Sequence, residues 1–447
     1  MKVYSSRYEF NVTRQNDVCD FGPLLARGFD ELETGSPQDR MRRLNFTNTQ
    51  VASSETARDI NRGVVLNLIR RRQPISRADL ARASGLQRST VSLITEQLIR
   101  EKWVVNGPLG RLPRGRRPTF LRLNERRAIV VADLRPHQST VAVADVNGRF
   151  LSQEAITTSN HPAKMAAKLA ASITHQMQSH PELVFEGVGI SLPGRVEEGT
   201  GRIIFAPNLK WPEFDLKRPI EEATGMQVEM ENAANACVLA EVWFGSGEIV
   251  RDMVVVTVSE GIGTGLFVNH QLAKGLHGVA GEFGHVPLDA DGPPCSCGGR
   301  GCWEVLGSNR AAVRYYSESA AESESITFDD LMMLGETGDR LALKALEKMA
   351  HAIGRGMRSI VAGLAPEEIV IVGEFTRLWS RLGPIIEAEV AQAVLVGKAP
   401  RVRPAADPHM ARLRGTVALV LQKHFGASSP EPFRQKPQRD SAVRMKA

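Results

Sequence analysis

The chain has 447 residues, 42% of them apolar and 24% charged, which is too long for one small core and calls for two or three domains. No apolar run approaches the length of a membrane span, the first 30 residues hold Arg, Asp and Glu without an apolar stretch, and five cysteines are too few for a disulfide framework. These features exclude a membrane protein or a secreted disulfide scaffold and predict a cytoplasmic protein. The net charge of +6 is unevenly placed: residues 1–127 carry 24 Lys and Arg against 13 Asp and Glu, and the remainder carries 32 against 37. Only the N-terminal part is basic, so a polyanion is expected to dock at that end.

In chain order, residues 1–55 mix polar residues with Gly, Pro, Ser and Thr and predict a flexible extension with a short helix around 22–33. Residues 56–127 read as three helices and a hairpin. Ile60, Val64, Leu68 and Ile69 recur at helical spacing. Ser76-Arg-Ala-Asp79 is a capping-box-like start for a second helix that ends at Gly85. A third helix over about 88–101 turns Val91, Ile94 and Leu98 inward. Trp103–Asn106 and Thr119–Leu123 read as strands flanking the basic loop Gly110-Arg111-Leu-Pro-Arg114-Gly-Arg116-Arg117-Pro118.

From 128 to 426 strands and helices alternate, which predicts an α/β domain. The strands are placed at Ile129–Asp133, Thr140–Val146, Phe150–Ile156, Val184–Leu192, Gln227–Met230, Met253–Val258 and Ile369–Val372. Leu341, Ala345, Met349, Ile353, Met357, Ile360 and Leu364 form one long apolar stripe, read as core. The segment from 427 to 447, rich in Pro, Ser, Gln and charge, is expected to be a disordered tail.

Two parts of the chain carry chemistry. The second helix, Gly85 and the third helix form a helix-turn-helix. The recognition helix opens with Gln87, Arg88, Ser89 and Thr90 and places Ser92 and Thr95 on its outer face, where short polar side chains and an Arg can reach base edges. Gln87 is a weak N-cap and is available to a base. The loop with Arg114, Arg116 and Arg117 then reads as a wing for the minor groove. The other part is Gly278-Val-Ala-Gly-Glu282-Phe-Gly-His285 followed by Cys295-Ser-Cys297-Gly-Gly-Arg-Gly-Cys302-Trp-Glu304. Three thiolates and one imidazole suit a closed, structural Zn²⁺ site.

The motifs Gly187-Val-Gly-Ile-Ser-Leu-Pro-Gly194, Asn208-Leu-Lys-Trp211, Glu231-Asn-Ala-Ala-Asn235, Ala280-Gly-Glu-Phe-Gly-His285 and the cysteine cluster make residues 58–425 resemble the ROK family (repressors, open reading frames and kinases) in its repressor form. The resemblance implies a winged helix-turn-helix joined to a two-lobed, actin-like, sugar-kinase-like domain. It implies zinc held by His285, Cys295, Cys297 and Cys302, and a sugar held by Asn232, Glu282, His285 and Glu304. His285 would serve twice, one ring nitrogen on zinc and the other toward a hydroxyl.

The kinase pattern is broken in several places. Ala233 stands where the family's kinases carry the Asp that acts as general base, a group worth roughly 10²–10⁴-fold in rate. The first phosphate loop reads Asp133-Leu-Arg135-Pro136-His137, bulky and short of one amide donor at Pro136. The second, Ser259–Gly265, carries Glu260 where a triphosphate would sit. A late strand ends Val372-Gly373-Glu374 in place of two glycines. No catalytic residue and no ATP are therefore expected. The sequence predicts a dimeric regulator of carbohydrate genes, binding duplex operator DNA and a sugar or sugar phosphate, without membrane association. An active sugar kinase, or a regulator governed by a protein partner, is the alternative.

Overall fold

The computed structural model describes residues 54–109, 119–197, 200–245, 250–320, 326–394 and 397–425. The extension and short helix expected before residue 54, the loop with Arg111, Arg114, Arg116 and Arg117, and the tail expected from 427 lie outside the described residues. No described helix is long and apolar enough to cross a membrane.

The N-terminal elements are α1 (Ser54–Arg72), β1 (Ile75–Ser76), α2 (Arg77–Ser84), α3 (Arg88–Arg100), β2 (Val104–Leu109) and β3 (Thr119–Leu123). The hairpin gains a third antiparallel strand, β1, in the order β1-β3-β2. Two residues are too few to show a period, so β1 has no sequence signal. Ser76 caps α2 by accepting from the Asp79 amide, and Gly85 ends it at a φ of 72°, a left-handed position that favours glycine. Gln87 begins α3 without a side-chain cap.

Val91, Ile94 and Leu98 are buried as expected, but Thr95 is not on the outer face. Lying four residues after Val91 and three before Leu98, it falls on the inner stripe. It is fully buried, and its hydroxyl accepts from Arg77 Nε and donates to the Ser92 carbonyl, both at 3.0 Å.

Two lobes follow. The first contains β4 (Arg127–Asp133), β5 (Gln138–Asp145), β6 (Phe150–Thr157), α4 (Pro162–Gln178), β7 (Val184–Leu192), β8 (Arg195–Val196), β9 (Ile203–Phe205), α5 (Lys217–Thr224), β10 (Val228–Asn232) and α6 (Ala233–Phe244). The second contains β11 (Met253–Val258), β12 (Ile262–Val268), β13 (Gln271–Ala273), α7 (Trp303–Gly307), α8 (Asn309–Ser319), α9 (Phe328–Thr337), α10 (Arg340–Leu364), β14 (Glu368–Val372), α11 (Trp379–Ala391) and β15 (Arg401–Pro404); α12 (Ala411–Phe425) closes the described chain.

The two large sheets have one topology. Their orders are β10-β7-β4-β5-β6 and β13-β12-β11-β14-β15, each an antiparallel meander extended by two parallel strands. This duplication lies in connectivity and not in residue pattern, so the sequence shows no repeat. Ligands of such sheets lie beyond the carboxyl ends of the parallel strands. Register puts Asp133 beside Ser191 and Leu192 beside Asn232 at that end of the first sheet, and Thr257 beside Val372 in the second.

Ala345, Met349, Ile353, Met357 and Ile360 of α10 are buried, whereas Leu341 is 40% exposed and Leu343 and Leu346 are buried in its place. A strict four-residue spacing advances about 40° per step around a helix of 3.6 residues per turn, so the start of the series winds off the core face. At the other end of the molecule, α12 packs tightly on α6: a Cβ at Gly415 would lie 1.7 Å from the Ala236 carbonyl oxygen. Its last residue, Phe425, meets the Trp103 ring edge-on at 5.7 Å and the Trp243 ring at 5.3 Å. One core thus runs from α1, α3 and the small sheet through β4 to α12.

Candidate functional site

His285, Cys295, Cys297 and Cys302 converge, with one donor atom from each lying within 4.8 Å of the others. His285 ends a 3-10 turn over Glu282–His285, and Cys302 immediately precedes α7. The Cys295 amide donates to the Gly299 carbonyl, the Gly301 amide to Pro293 and the Trp303 amide to Val286, which folds the loop back on itself. Gly301, at a φ of 56°, is required there, since a Cβ would sit 1.6 Å from the Asp289 carbonyl oxygen.

The residues fit zinc. Tetrahedral Zn–S and Zn–N bonds give ligand–ligand edges of about 3.8 and 3.6 Å. The structure has Cys297 Sγ 3.7 Å from Cys302 Sγ and Cys295 Sγ 3.5 Å from His285 Nδ1. Burial first, and then the adjacent thiols, push the Cys302 thiol up to about 12. A cation is what would let these sulfurs share the site as thiolates. The second ring nitrogen of His285, Nε2, faces away toward Glu282 Oε2 at 3.8 Å.

The four expected sugar residues lie on separate elements of the two lobes: Asn232 ends β10, Glu282 and His285 begin and end the 3-10 turn, and Glu304 lies in α7. Glu282 Oε1 accepts from Arg195 Nε of β8 at 3.1 Å, so the first lobe reaches the second at this carboxylate. Glu304 Oε2 accepts from the Ile262 amide at 3.2 Å, and a Cβ on Gly261 would collide with it at 2.3 Å. Asn232 caps α6 by accepting from the Ala234 amide and donates to the Gly194 carbonyl, both at 2.8 Å. Ala233 is the first residue of α6 and is buried. Behind Asn232, buried Glu231 takes the Asn232 amide at 2.9 Å and Asn235 Nδ2 at 3.0 Å, and pairs with Lys274 at 2.9 Å. Arg195 and Lys274 have no motif signal of their own; each is recognised only through the carboxylate it meets.

The region of the two phosphate loops is occupied by protein charge. Arg135 Nε donates to buried Asp133 at 2.7 Å and its Nη1 lies 3.7 Å from Glu374, which follows β14 of the second lobe. Arg412 of α12 lies 4.0 Å from Asp133 and donates to Ser259 at 3.4 Å. Glu260, expected as a negative charge where a triphosphate would sit, is paired with Arg310 at 2.9 Å. Only Ser259–Gly261 forms the second loop, because Ile262–Val268 is strand β12. Glycines at 263 and 265 read as loop, but they are where α6 comes close: a Cβ at Gly265 would sit 2.7 Å from the Ala234 carbonyl oxygen.

At the other end of the chain, Gln87, Arg88 and Ser89 are exposed on the first turn of α3, and Thr90 and Ser92 are half-buried. Arg114, Arg116 and Arg117 lie outside the described residues.

Comparison with known proteins places this geometry. The sequence pattern of the ROK family matches residues 132–423. The chain is 29% identical over 381 residues to the xylose repressor of Bacillus subtilis, covering 84% of this chain and 98% of that protein. Among solved structures, a ROK family transcriptional regulator that is a homolog of the Escherichia coli MLC protein superposes with a TM-score of 0.70 at 25% identity, covering 83% of this chain and 99% of that one. A ROK family glucokinase from Streptomyces griseus, in complex with glucose and AMPPNP, superposes with a TM-score of 0.61 at 26% identity over 66% of this chain and 99% of that one.

Proposed function

The chain belongs to the ROK family, and from that premise we propose that it is a sugar-responsive transcriptional repressor of carbohydrate genes, with no kinase activity. The observation that carries the reading is the coexistence of two ends in one molecule. Two short helices, α2 and α3, joined by a turn at Gly85, precede the lobes, and the lobes have alanine at 233 and ion pairs at Arg135 and Glu374. The match to a repressor over 84% of the chain, helices included, supports it.

In this reading α2 and α3 with the β2–β3 hairpin form a winged helix-turn-helix. Gln87, Arg88, Ser89, Thr90 and Ser92 face the major groove, and Arg114, Arg116 and Arg117 contact the minor groove. Two copies bind two half-sites as a homodimer in the cytoplasm. A sugar or sugar phosphate lies between the lobes, held by Asn232, Glu282, His285 and Glu304, whose carboxylates and amide can meet both donor and acceptor sides of hydroxyls. His285, Cys295, Cys297 and Cys302 would hold a structural zinc, which when bound would cross-link and fix the loop between Glu282 and Glu304. The ligand shifts DNA affinity only through its differential affinity for two lobe arrangements.

The test is a thermal-shift screen of the zinc-loaded protein against neutral sugars and sugar phosphates at millimolar concentration, followed by DNA binding with any hit. A hit that raises the melting temperature and changes DNA affinity is expected, with both effects lost in Glu282→Ala. DNA binding that is indifferent to every sugar, in a protein whose regulation in cells survives Glu282→Ala and Glu304→Ala, would favour control by a protein partner.

A further inference from the structure

The outer face of α3 carries one residue whose chemistry the polar reading of that helix leaves out. Leu93 is 69% exposed, and among the exposed large apolar side chains of the described residues only Leu276 is more so. The other apolar residues of α3 behave differently: Val91, Ile94 and Leu98 are buried and Ile99 is half-buried against the same core. Leu93 lies one helical turn after exposed Ser89 and next to half-buried Ser92, so it belongs to the surface presented by the first turns of the helix.

We propose that Leu93 reads the C5-methyl group of a thymine in the major groove and is a specificity-determining residue of this helix. The inference rests on the DNA-binding reading above and adds a base to it. The major-groove edge of a base pair presents donors and acceptors, with one apolar group, the thymine methyl. Serine and arginine side chains serve the polar positions. A leucine cannot donate or accept, so in the groove it either meets a methyl or strips water from a polar edge at a cost. An aliphatic side chain at this position therefore selects T·A over C·G without a hydrogen bond, while Ser89 and Arg88 one turn earlier fix the register.

The test uses the full-length protein, which first selects duplexes from a random double-stranded library at fixed salt. In the enriched duplex each thymine is then replaced singly by deoxyuridine, which removes the methyl and nothing else, and affinity is measured by fluorescence anisotropy. At one thymine per half-site the wild-type protein is expected to lose roughly fourfold, the worth of one buried methyl. In Leu93→Ala the same replacement changes nothing, and a fresh selection no longer fixes thymine there. Because Leu93 is exposed, Leu93→Ala is expected to melt with the wild type, which a circular dichroism melt verifies. Uniform indifference of the wild type to deoxyuridine, or an undiminished deoxyuridine penalty in Leu93→Ala, overturns the proposal. Failure to enrich any duplex overturns the DNA-binding reading itself, a different result.

Discussion

At the residue scale, what could be read from the sequence is what a motif carries locally. His285 and the three cysteines sit within 18 positions of one another, and their donor set alone suits a metal. Arg195 could not be found this way: its partner Glu282 is 87 positions away, and a lone Arg after a glycine says nothing. Thr95 shows the opposite failure, in which polarity argued for the surface and helical phase decided otherwise. Its hydroxyl is the acceptor for Arg77 Nε, tying the start of α2 to the middle of α3. Thr95→Val keeps the shape and removes the acceptor. It should cost about 1 kcal/mol, the net worth of one such hydrogen bond, and lower the urea midpoint with little change in slope. An unchanged midpoint would show that Arg77 is satisfied by water alone.

At the element scale, strands with continuous apolar runs were legible and helices buried on several sides were not. Ala411, Leu413, Gly415, Thr416, Val417, Ala418, Val420 and Leu421 of α12 are all buried, so no single-face period marks it. Close packing also gives glycines in one helix opposite meanings. In α10 a Cβ at Gly356 would lie 2.2 Å from the ring of Trp303, the buried residue between Cys302 and Glu304, whereas at Gly363 nothing lies within 4 Å. Gly356→Ala should therefore destabilise by about 1–3 kcal/mol through overpacking. In the zinc-loaded protein it should also speed metal loss to a chromogenic chelator, since Trp303 directly follows Cys302 and its amide donates to the Val286 carbonyl beside His285. Gly363→Ala should be neutral or stabilising by up to about 1 kcal/mol from helix propensity. Equal effects of the two would refute the packing argument.

The end of α12 also carries a pH dependence. Burial, with Arg127 and Arg62 nearby, holds His424 below the usual histidine value despite Glu186 at 3.8 Å. The folded state thus favours the neutral ring, while the unfolded chain takes up a proton near pH 6.5. Stability from this group is present above about pH 6.5 and is lost as pH falls from there through the depressed folded value. Melting temperatures measured between pH 5 and 7.5 should decline on the acid side less steeply in His424→Gln than in the wild type. The difference between the two curves isolates His424 from the other titratable groups, the His/Cys cluster included. Parallel curves would remove His424 from the account.

At the scale of the whole molecule, the two-lobed architecture could be expected from the motifs, but the repeated sheet order and the shared core between α1, α3 and α12 could not, because both arise from connectivity. The same scale bears on the proposal that the chain has no kinase activity. The departures sit on separate elements: Ala233 heads α6, Arg135 follows β4, Glu260 lies between β11 and β12, and Glu374 follows β14. Two of them, Arg135 and Glu374, are also joined: Arg135 bonds Asp133 and reaches Glu374, and Arg412 approaches Asp133 from α12. A single restoration therefore supplies a base and leaves the phosphate side of the cleft filled by ion pairs. Ala233→Asp should bind sugar through one added acceptor yet show no ATP turnover in a coupled ADP-release assay with a hexose panel, and ATP should not raise its melting temperature. Turnover by Ala233→Asp within roughly the 10²–10⁴-fold range that a general base contributes would mean that Ala233 alone silences the cleft. It would also mean that the arginine contacts yield to nucleotide.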